Sequence, residues 1–572
     1  MPAERNLRSV SRSFLRLLPV VILAAGVTFF HWRGLQPGYT FLPVDLAKSI
    51  LPWGDGAPRV LQNWLISDPL YQFYPFLTQA VASVRQGQWL LWDPSIMLGH
   101  PAAADPLFQT FYPGVLPFGL LFGAGRGYGI ALYVHALLAS LLMYGFLRAL
   151  RISPAAAVAG AFTYALSGYL VTWFEFSFWL TTLAWLPGVL WAYVLAVRKG
   201  SWRYVALGGL CLGLALLAGQ LQFVVIFAGF FIAGALAYTV LACRVAVRSW
   251  WPLFAAAATV GLGGLVGAVQ VVMTADFLPM STRTAGYGAS GLPFAQLTAL
   301  LLPNFFGNPS RSDYWGAGNF NESTIYVGII AVFLAALAIA CLRRLPLSAL
   351  IAGAAALVLL YLMIGGLGTG LLQYVPVISQ APLSRFAFLL PLLVGWLAAV
   401  MVDDAGLSTR QVLVTALVLV AAAGVMAAIY WNPGIAGNVH LLREDALVAL
   451  FLVGATAAVL IVRIRVPRYH TAASWTIAAL VFSNLAWFGR TYNPAGKVED
   501  LFPVDNTVQS LQEQAGGARV VALQRGSVLF GPNVLAKFGL NEPSGYSSLV
   551  AAHYHDLLAA ADPELDSKLA SR

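Results

Sequence analysis

Charge is what this sequence has least of. Only 10% of its 572 residues are Asp, Glu, Lys or Arg, whereas an ordinary soluble domain carries about 25%. With 59% apolar residues and a mean hydropathy of +0.76, that scarcity excludes a soluble globular enzyme and points to a polytopic membrane protein. Cysteine is nearly missing as well. Cys211, Cys243 and Cys341 stand in or beside apolar runs, so no disulfide framework or thiolate metal cluster is encoded. No Walker A, G-x-S-x-G, H-E-x-x-H or C-x-x-C motif is present, and His31, His100, His135, His440, His470, His553 and His555 are scattered without metal-ligand spacing. The formal charge of +10 is not gathered with aromatics into a basic module. Nucleic acid is therefore excluded as a partner, and the surplus reads as membrane orientation.

What is present is a series of apolar windows near the length of about 20 residues that a membrane helix needs. They lie at 14–33, 128–148, 154–174, 177–197, 204–220, 221–242, 250–273, 323–342, 346–364, 385–402, 411–431, 446–463 and 473–489, with an extra half-span at 111–123. The spacing predicts about 13 transmembrane helices within residues 1–489. Arg5, Arg8, Arg12 and Arg16 precede the first, which reads as an uncleaved signal-anchor. With that end in the cytoplasm, Arg148, Arg151, Arg198, Lys199, Arg203, Arg244, Arg248, Arg343, Arg344, Arg410, Arg463, Arg465 and Arg468 all fall in short cytoplasmic connections. The positive-inside rule is met at every inner turn. Of the 23 carboxylates only Glu4, Asp403 and Asp404 share that side.

The acids pool in three outer segments: a first extracytoplasmic loop at 34–127, a second at 276–322, and a C-terminal segment at 490–572. The last reads as a small α/β domain with a strand at 518–524 and a helix start at 553–561. The C-terminus is then extracytoplasmic. The first loop holds Asp45, Asp55, Asp68, Asp93 and Asp105 among Tyr71, Tyr74, Trp89, Trp92, Phe111 and Tyr112. Such aromatics serve as an interfacial belt, the commoner use, or as platforms for the C–H faces of sugars. Two stretches echo one another, DPLYQFYP at 68–75 and DPLFQTFYP at 105–113. Asp-Pro is a common helix start, with Asp as N-cap and Pro in the first turn. The expectation here is two membrane-surface helices flanking one pocket, their leading acids turned toward it.

Glu175 is the sole carboxylate between Asp105 and Asp276 and sits in a tight outer turn beside Trp173, Phe174, Phe176 and Trp179. Greasy surroundings raise a carboxyl pKa and suit proton transfer, while the plainer reading is a solvated turn residue. Arg283 and Arg385 lie near outer ends of long spans, where arginine either snorkels to headgroups or forks onto a phosphate.

The blocks DPLYQFYPF, WLLWDPSIMLGHPAAADPLFQTFYPG, VHALLASLLMYGFLR and FTYALSGYL, followed by LLPNFFGN, NESTIYVG, GGLGTGLLQYVPVISQAPLSRFAF and ARVVALQRGSVLFGPNVLAKFGLNEPSGYSSLV, resemble the bacterial YfhO-like membrane proteins, grouped with the GT-C superfamily of polyprenyl-phosphate-sugar glycosyltransferases. The resemblance spans nearly the whole chain. It implies a GT-C-like membrane domain in the bacterial cytoplasmic membrane and a hexosyltransferase-type reaction, in which sugar passes from a polyprenyl-phosphate-linked donor to a glycan, lipid or protein acceptor of the cell envelope at the outer face. Asp68 matches the catalytic position, with Asp45, Asp105 and Glu175 as further candidates. Arg283 and Arg385 become donor-phosphate ligands, and Tyr71, Tyr74, Trp92 and Gln109 candidates for sugar or acceptor. Some relatives use a divalent metal, Mg or Mn, which this sequence does not establish. Relatives also run longer after GYSSLV, so the tail reads as shortened. The rival classes are a lipid-linked glycan flippase, which calls for polar residues along the spans, and an envelope assembly factor without covalent chemistry.

Overall fold

The computed structural model describes residues 17–54, 60–245, 249–283, 291–375, 377–380, 382–404, 406–431, 438–522 and 528–561. The four N-terminal arginines, Asp55, Arg248 and the last residues of the expected strand at 518–524 lie outside them. Among the described residues seven helices are long and apolar enough to cross a membrane, or eight if the bent pair Trp251–Val266 and Ala268–Met280 is one span. Shorter apolar helices occupy four more of the expected windows: Leu17–Phe30, Trp202–Leu217, Ile329–Ala340 and Leu347–Met363.

Two windows expected as continuous helices are broken. The pair at 251–280 bends by 66° at Gly267. The window at 154–174 divides into Pro154–Ala165 and Gly168–Thr172, because Ser167 adopts an extended conformation and caps the second piece by accepting from the Leu170 amide. Every residue of Pro154–Ala165 except Pro154 is buried. Its small side chains allow close approach to Leu390–Asp403, where a β-carbon on Gly160 would stand 2.6 Å from the Gly395 carbonyl oxygen. This is the small-residue packing expected where lipid removes the hydrophobic drive between helices.

Among the described residues, the strand pairing of the C-terminal segment is made mostly with its neighbours. Its two-residue strand Gly496–Lys497 pairs with Tyr39–Thr40 of the first loop, and Arg519 makes only an isolated bridge to Asn541. The helix expected near 553 is present as Ala552–Ala561. Backbone bonds tie the tail to the first and second loops: Phe530 N to Leu51 O, Met97 N to Ser544 O, Glu542 N to Ser95 O and Thr282 N to Val550 O. Phe502, Phe530, Val534 and Leu535 of the tail share one apolar core with Phe41, Phe73 and Tyr74. A segment with so few strand hydrogen bonds of its own satisfies its backbone on its neighbours instead.

Candidate functional site

The first loop, the second loop and the tail meet over the ends of four helical segments and enclose a cavity of about 490 Å³. Trp179 and Gln222 come from the starts of Ser177–Lys199 and Leu221–Val245, Thr274 from the end of Ala268–Phe277, and Arg385 from the turn Leu383–Leu389. Asp68, Arg283 and Glu322 line the same space, with Tyr546 from the tail.

The doubled Asp-Pro-Leu stretches do different things. Asp68 has helical dihedrals and no capping bond, and the chain runs straight from it through a π-helical turn, Pro69–Phe73, into Tyr74–Arg85. Its carboxylate is thereby left for the cavity, where Tyr546 Oη donates to Oδ1 at 3.1 Å. Burial pushes its pKa up from 3.8 to about 6, against the opposing hydrogen bonds from Tyr546 and Gln72. Gln72 Oε1 is buried and has no hydrogen-bond partner among the described residues. π-Turns of this kind are rare and recur at functional sites. Asp105 is extended instead, accepts from Leu107 N at 3.0 Å, and caps a single 3₁₀ turn, Pro106–Phe108, that stops where Gln109 enters the left-handed region. Its carboxylate is fully buried, 2.9 Å from His100 Nε2, and also accepts from Ser547 Oγ. The expectation of two surface helices with both acids facing one pocket is thus met by Asp68 and not by Asp105.

Arg385 is clamped. Its Nε donates to Glu322 Oε1 and Oε2 at 3.0 and 3.2 Å, Nη2 to Oε1 at 2.6 Å, and Nη1 to Gln222 Oε1 at 3.1 Å. The guanidinium carbon lies 5.3 Å from the Trp179 ring centre. A forked pair over an aromatic face is rigid. Arg283 Nη1 reaches Ser548 O at 3.4 Å.

The other candidates lie elsewhere. Asp45 Oδ2 accepts from Gln62 N at 2.6 Å, away from the cavity. Glu175 is not a solvated turn residue: it is fully buried, and neither carboxyl oxygen has a partner among the described residues. Burial, aided by the nearby Asp45 charge, holds its pKa well above the usual range. Its neighbours Trp173 and Phe176 line the cavity while Glu175 itself does not. Tyr74 is buried in the core, and Trp92 is 56% exposed. Tyr71 packs on Gly531, whose φ of +72° and lack of a β-carbon both matter, since that carbon would sit 2.5 Å from the ring. The Gln109 amide is spent on Thr181 Oγ1 and Ala218 O, at 2.9 and 2.7 Å.

Sequence reasoning missed Glu322, Gln72, Gln222 and Tyr546. A carboxylate in the NESTIYVG block was the one available signal. Among the described residues no three His, Cys, Asp or Glu side chains gather to hold a cation, and Glu322 is engaged with Arg385. The described residues do not fit a metal.

No family model and no curated protein sequence matches the chain. Among solved structures it is similar to ArnT from Cupriavidus metallidurans bound to undecaprenyl phosphate, at 15% identity and a TM-score of 0.45 over 88% of this chain and 85% of that one. It is also similar to the Archaeoglobus fulgidus oligosaccharyltransferase in its apo form, at 13% identity and 0.45 over 97% and 68%. The same archaeal enzyme, AglB, in complex with an inhibitory peptide and a dolichol-phosphate, gives 13% and 0.43 over 98% and 68%.

Proposed function

We propose that this chain is a membrane glycosyltransferase that moves a sugar from a polyprenyl-phosphate-linked donor to a hydroxyl of a cell-envelope acceptor at the outer face of the cytoplasmic membrane. The observation that carries the reading is the convergence of one available carboxylate, Asp68, and two arginines on a single cavity walled by Trp173, Phe176, Phe178 and Trp179. Aromatic faces suit a sugar ring, and arginines suit a phosphodiester.

Asp68 acts as general base. The acceptor oxygen bonds to the anomeric carbon as its proton passes to Asp68. The bond from that carbon to the phosphate oxygen breaks, and polyprenyl phosphate leaves with the electron pair. Arg283 and Arg385 stabilise the charge gathering on the phosphate. Glu322 and Gln222 keep the Arg385 fork oriented. A base with a pKa near 6 is about nine-tenths ionised at pH 7 and still close enough to neutrality to accept a proton readily.

The test is transfer of radiolabelled sugar from a polyprenyl-phosphate donor to membrane acceptors by the reconstituted chain. Asp68→Asn should reduce incorporation by about 10²–10⁴-fold with insertion unchanged. Equal incorporation removes Asp68 from the reaction.

A further inference from the structure

A second cavity, of about 500 Å³, opens between the helices Ala124–Ala149, Ser177–Lys199, Leu221–Val245, Leu347–Met363 and Leu390–Asp403. Sugar transfer makes no use of it. Along Ser177–Lys199 its lining residue Tyr193 lies fourteen positions beyond Trp179, which places it about 21 Å from the Asp68 cavity at 1.5 Å per residue. Its walls are apolar, with Phe227, Phe230 and Phe231 on one side and Leu392 and Leu393 on another.

Its polar groups are few and specific. Tyr193 and Trp396 line it, and Tyr193 Oη and Trp396 Nε1 are buried behind that wall without a hydrogen-bond partner among the described residues. Neither ring is free to swing, since Tyr193 stands edge-on to Phe231 at 4.9 Å and Trp396 edge-on to Phe146 at 5.0 Å. Arg151 and Arg198 close the end. Arg198 caps the helix before it by donating to Ala149 O. Arg151 is exposed, makes no side-chain hydrogen bond or ion pair among the described residues, and holds a left-handed φ of 68° at a helix end where glycine is usual.

A bare hydrocarbon chain would satisfy the phenylalanines and leave the Arg151 guanidinium unanswered. We infer that the groove binds one anionic phospholipid. Its acyl chains lie among Phe227, Phe230 and Phe231, and its phosphate sits at Arg151 beside Arg198. By the distribution of basic residues this is the cytoplasmic leaflet, opposite the sugar site.

The test uses the purified full chain in mixed detergent micelles and native mass spectrometry to count retained phosphatidylglycerol, phosphatidylcholine and undecaprenyl phosphate. Wild type should retain phosphatidylglycerol over phosphatidylcholine by about fivefold, the worth of one arginine at a lipid phosphate, and Arg151→Ala should bring the ratio to one. Gly234→Leu supplies a second reading. A β-carbon there meets only Ile351, at 3.8 Å, so the helix tolerates the change while the side chain fills the groove, and retention of phosphatidylglycerol should be lost. Equal retention of both phospholipids by the wild type overturns the assignment. So does indifference to both substitutions, and so does a preference for undecaprenyl phosphate that Gly234→Leu removes, since that would make the groove a seat for the donor's tail.

Discussion

Asp68→Asn has a consequence for stability that needs no substrate. The carboxyl titrates near 6 in the folded chain against 3.8 ordinarily, so the folded state keeps a proton that the unfolded state has already released. The stabilisation this brings is complete below pH 3.8 and is lost as the pH rises through 6. Above that, the folded chain carries a partly buried carboxylate whose desolvation costs up to about 3 kcal/mol, at 1.36 kcal/mol per pKa unit. Asparagine keeps the shape and can still accept from Tyr546 Oη, but it carries no charge. The variant should therefore unfold at a higher temperature than the wild type at pH 8, and the gap should shrink from pH 6 to pH 4. Thermal unfolding in detergent, followed by intrinsic fluorescence at pH 4, 5, 6 and 8, measures this. A gap that is negative at pH 8, or constant across the range, refutes the claim that burial dominates the Asp68 environment. A gain in stability joined to a loss of transfer is the usual mark of a site held in a costly state for function.

Other substitutions separate site from scaffold. Tyr546→Phe removes a hydrogen bond that favours the Asp68 carboxylate, so the acid limb of the pH–rate profile should move upward from about 6; an unmoved limb means that Asp68 is not the group titrating. Glu322→Gln leaves Arg385 without its counter-charge and fork, and should weaken donor binding by about tenfold or more through misorientation of the guanidinium, read as a raised KM. Asp105→Asn breaks a fully buried pair with His100 and should cost about 3 kcal/mol, seen as lower yield and midpoint with unchanged turnover per folded molecule. Glu175→Gln replaces a carboxyl that burial pushes toward its uncharged form with an uncharged amide, so activity at pH 7 should persist; its loss would give Glu175 a proton-transfer role.

The membrane helices were largely legible because apolar length is a property of the local sequence, and most expected windows coincide with helices. The breaks at Ser167 and Gly267 were less so, since a serine or glycine inside an apolar run is compatible with both a continuous and a divided helix. Arg283 and Arg385 could be picked out because charge near the end of a span is conspicuous, and Asp68 because it opens a repeated Asp-Pro-Leu stretch and matches a position of the family it resembles. Their partners could not. Glu322 is 63 residues from Arg385, and Tyr546 is 478 from Asp68, so only the folded chain joins them. Asp68 and Asp105 open the same tripeptide, yet one continues into a helix and the other stops at a left-handed Gln109. The residues after the tripeptide, and whether His100 or the cavity meets the acid, decide its role. Tyr71, Tyr74 and Gln109 were chosen by residue type, and in this fold their polar or aromatic groups are taken up by packing.

The most direct test of the central claim is single-turnover transfer from a polyprenyl-phosphate sugar by the purified, reconstituted chain, with Asp68→Asn and Arg283→Ala measured alongside it. The proposed chemistry predicts product from the wild type, almost none from Asp68→Asn even at saturating donor, and activity recoverable at high donor concentration in Arg283→Ala. Product formed equally by Asp68→Asn would contradict it.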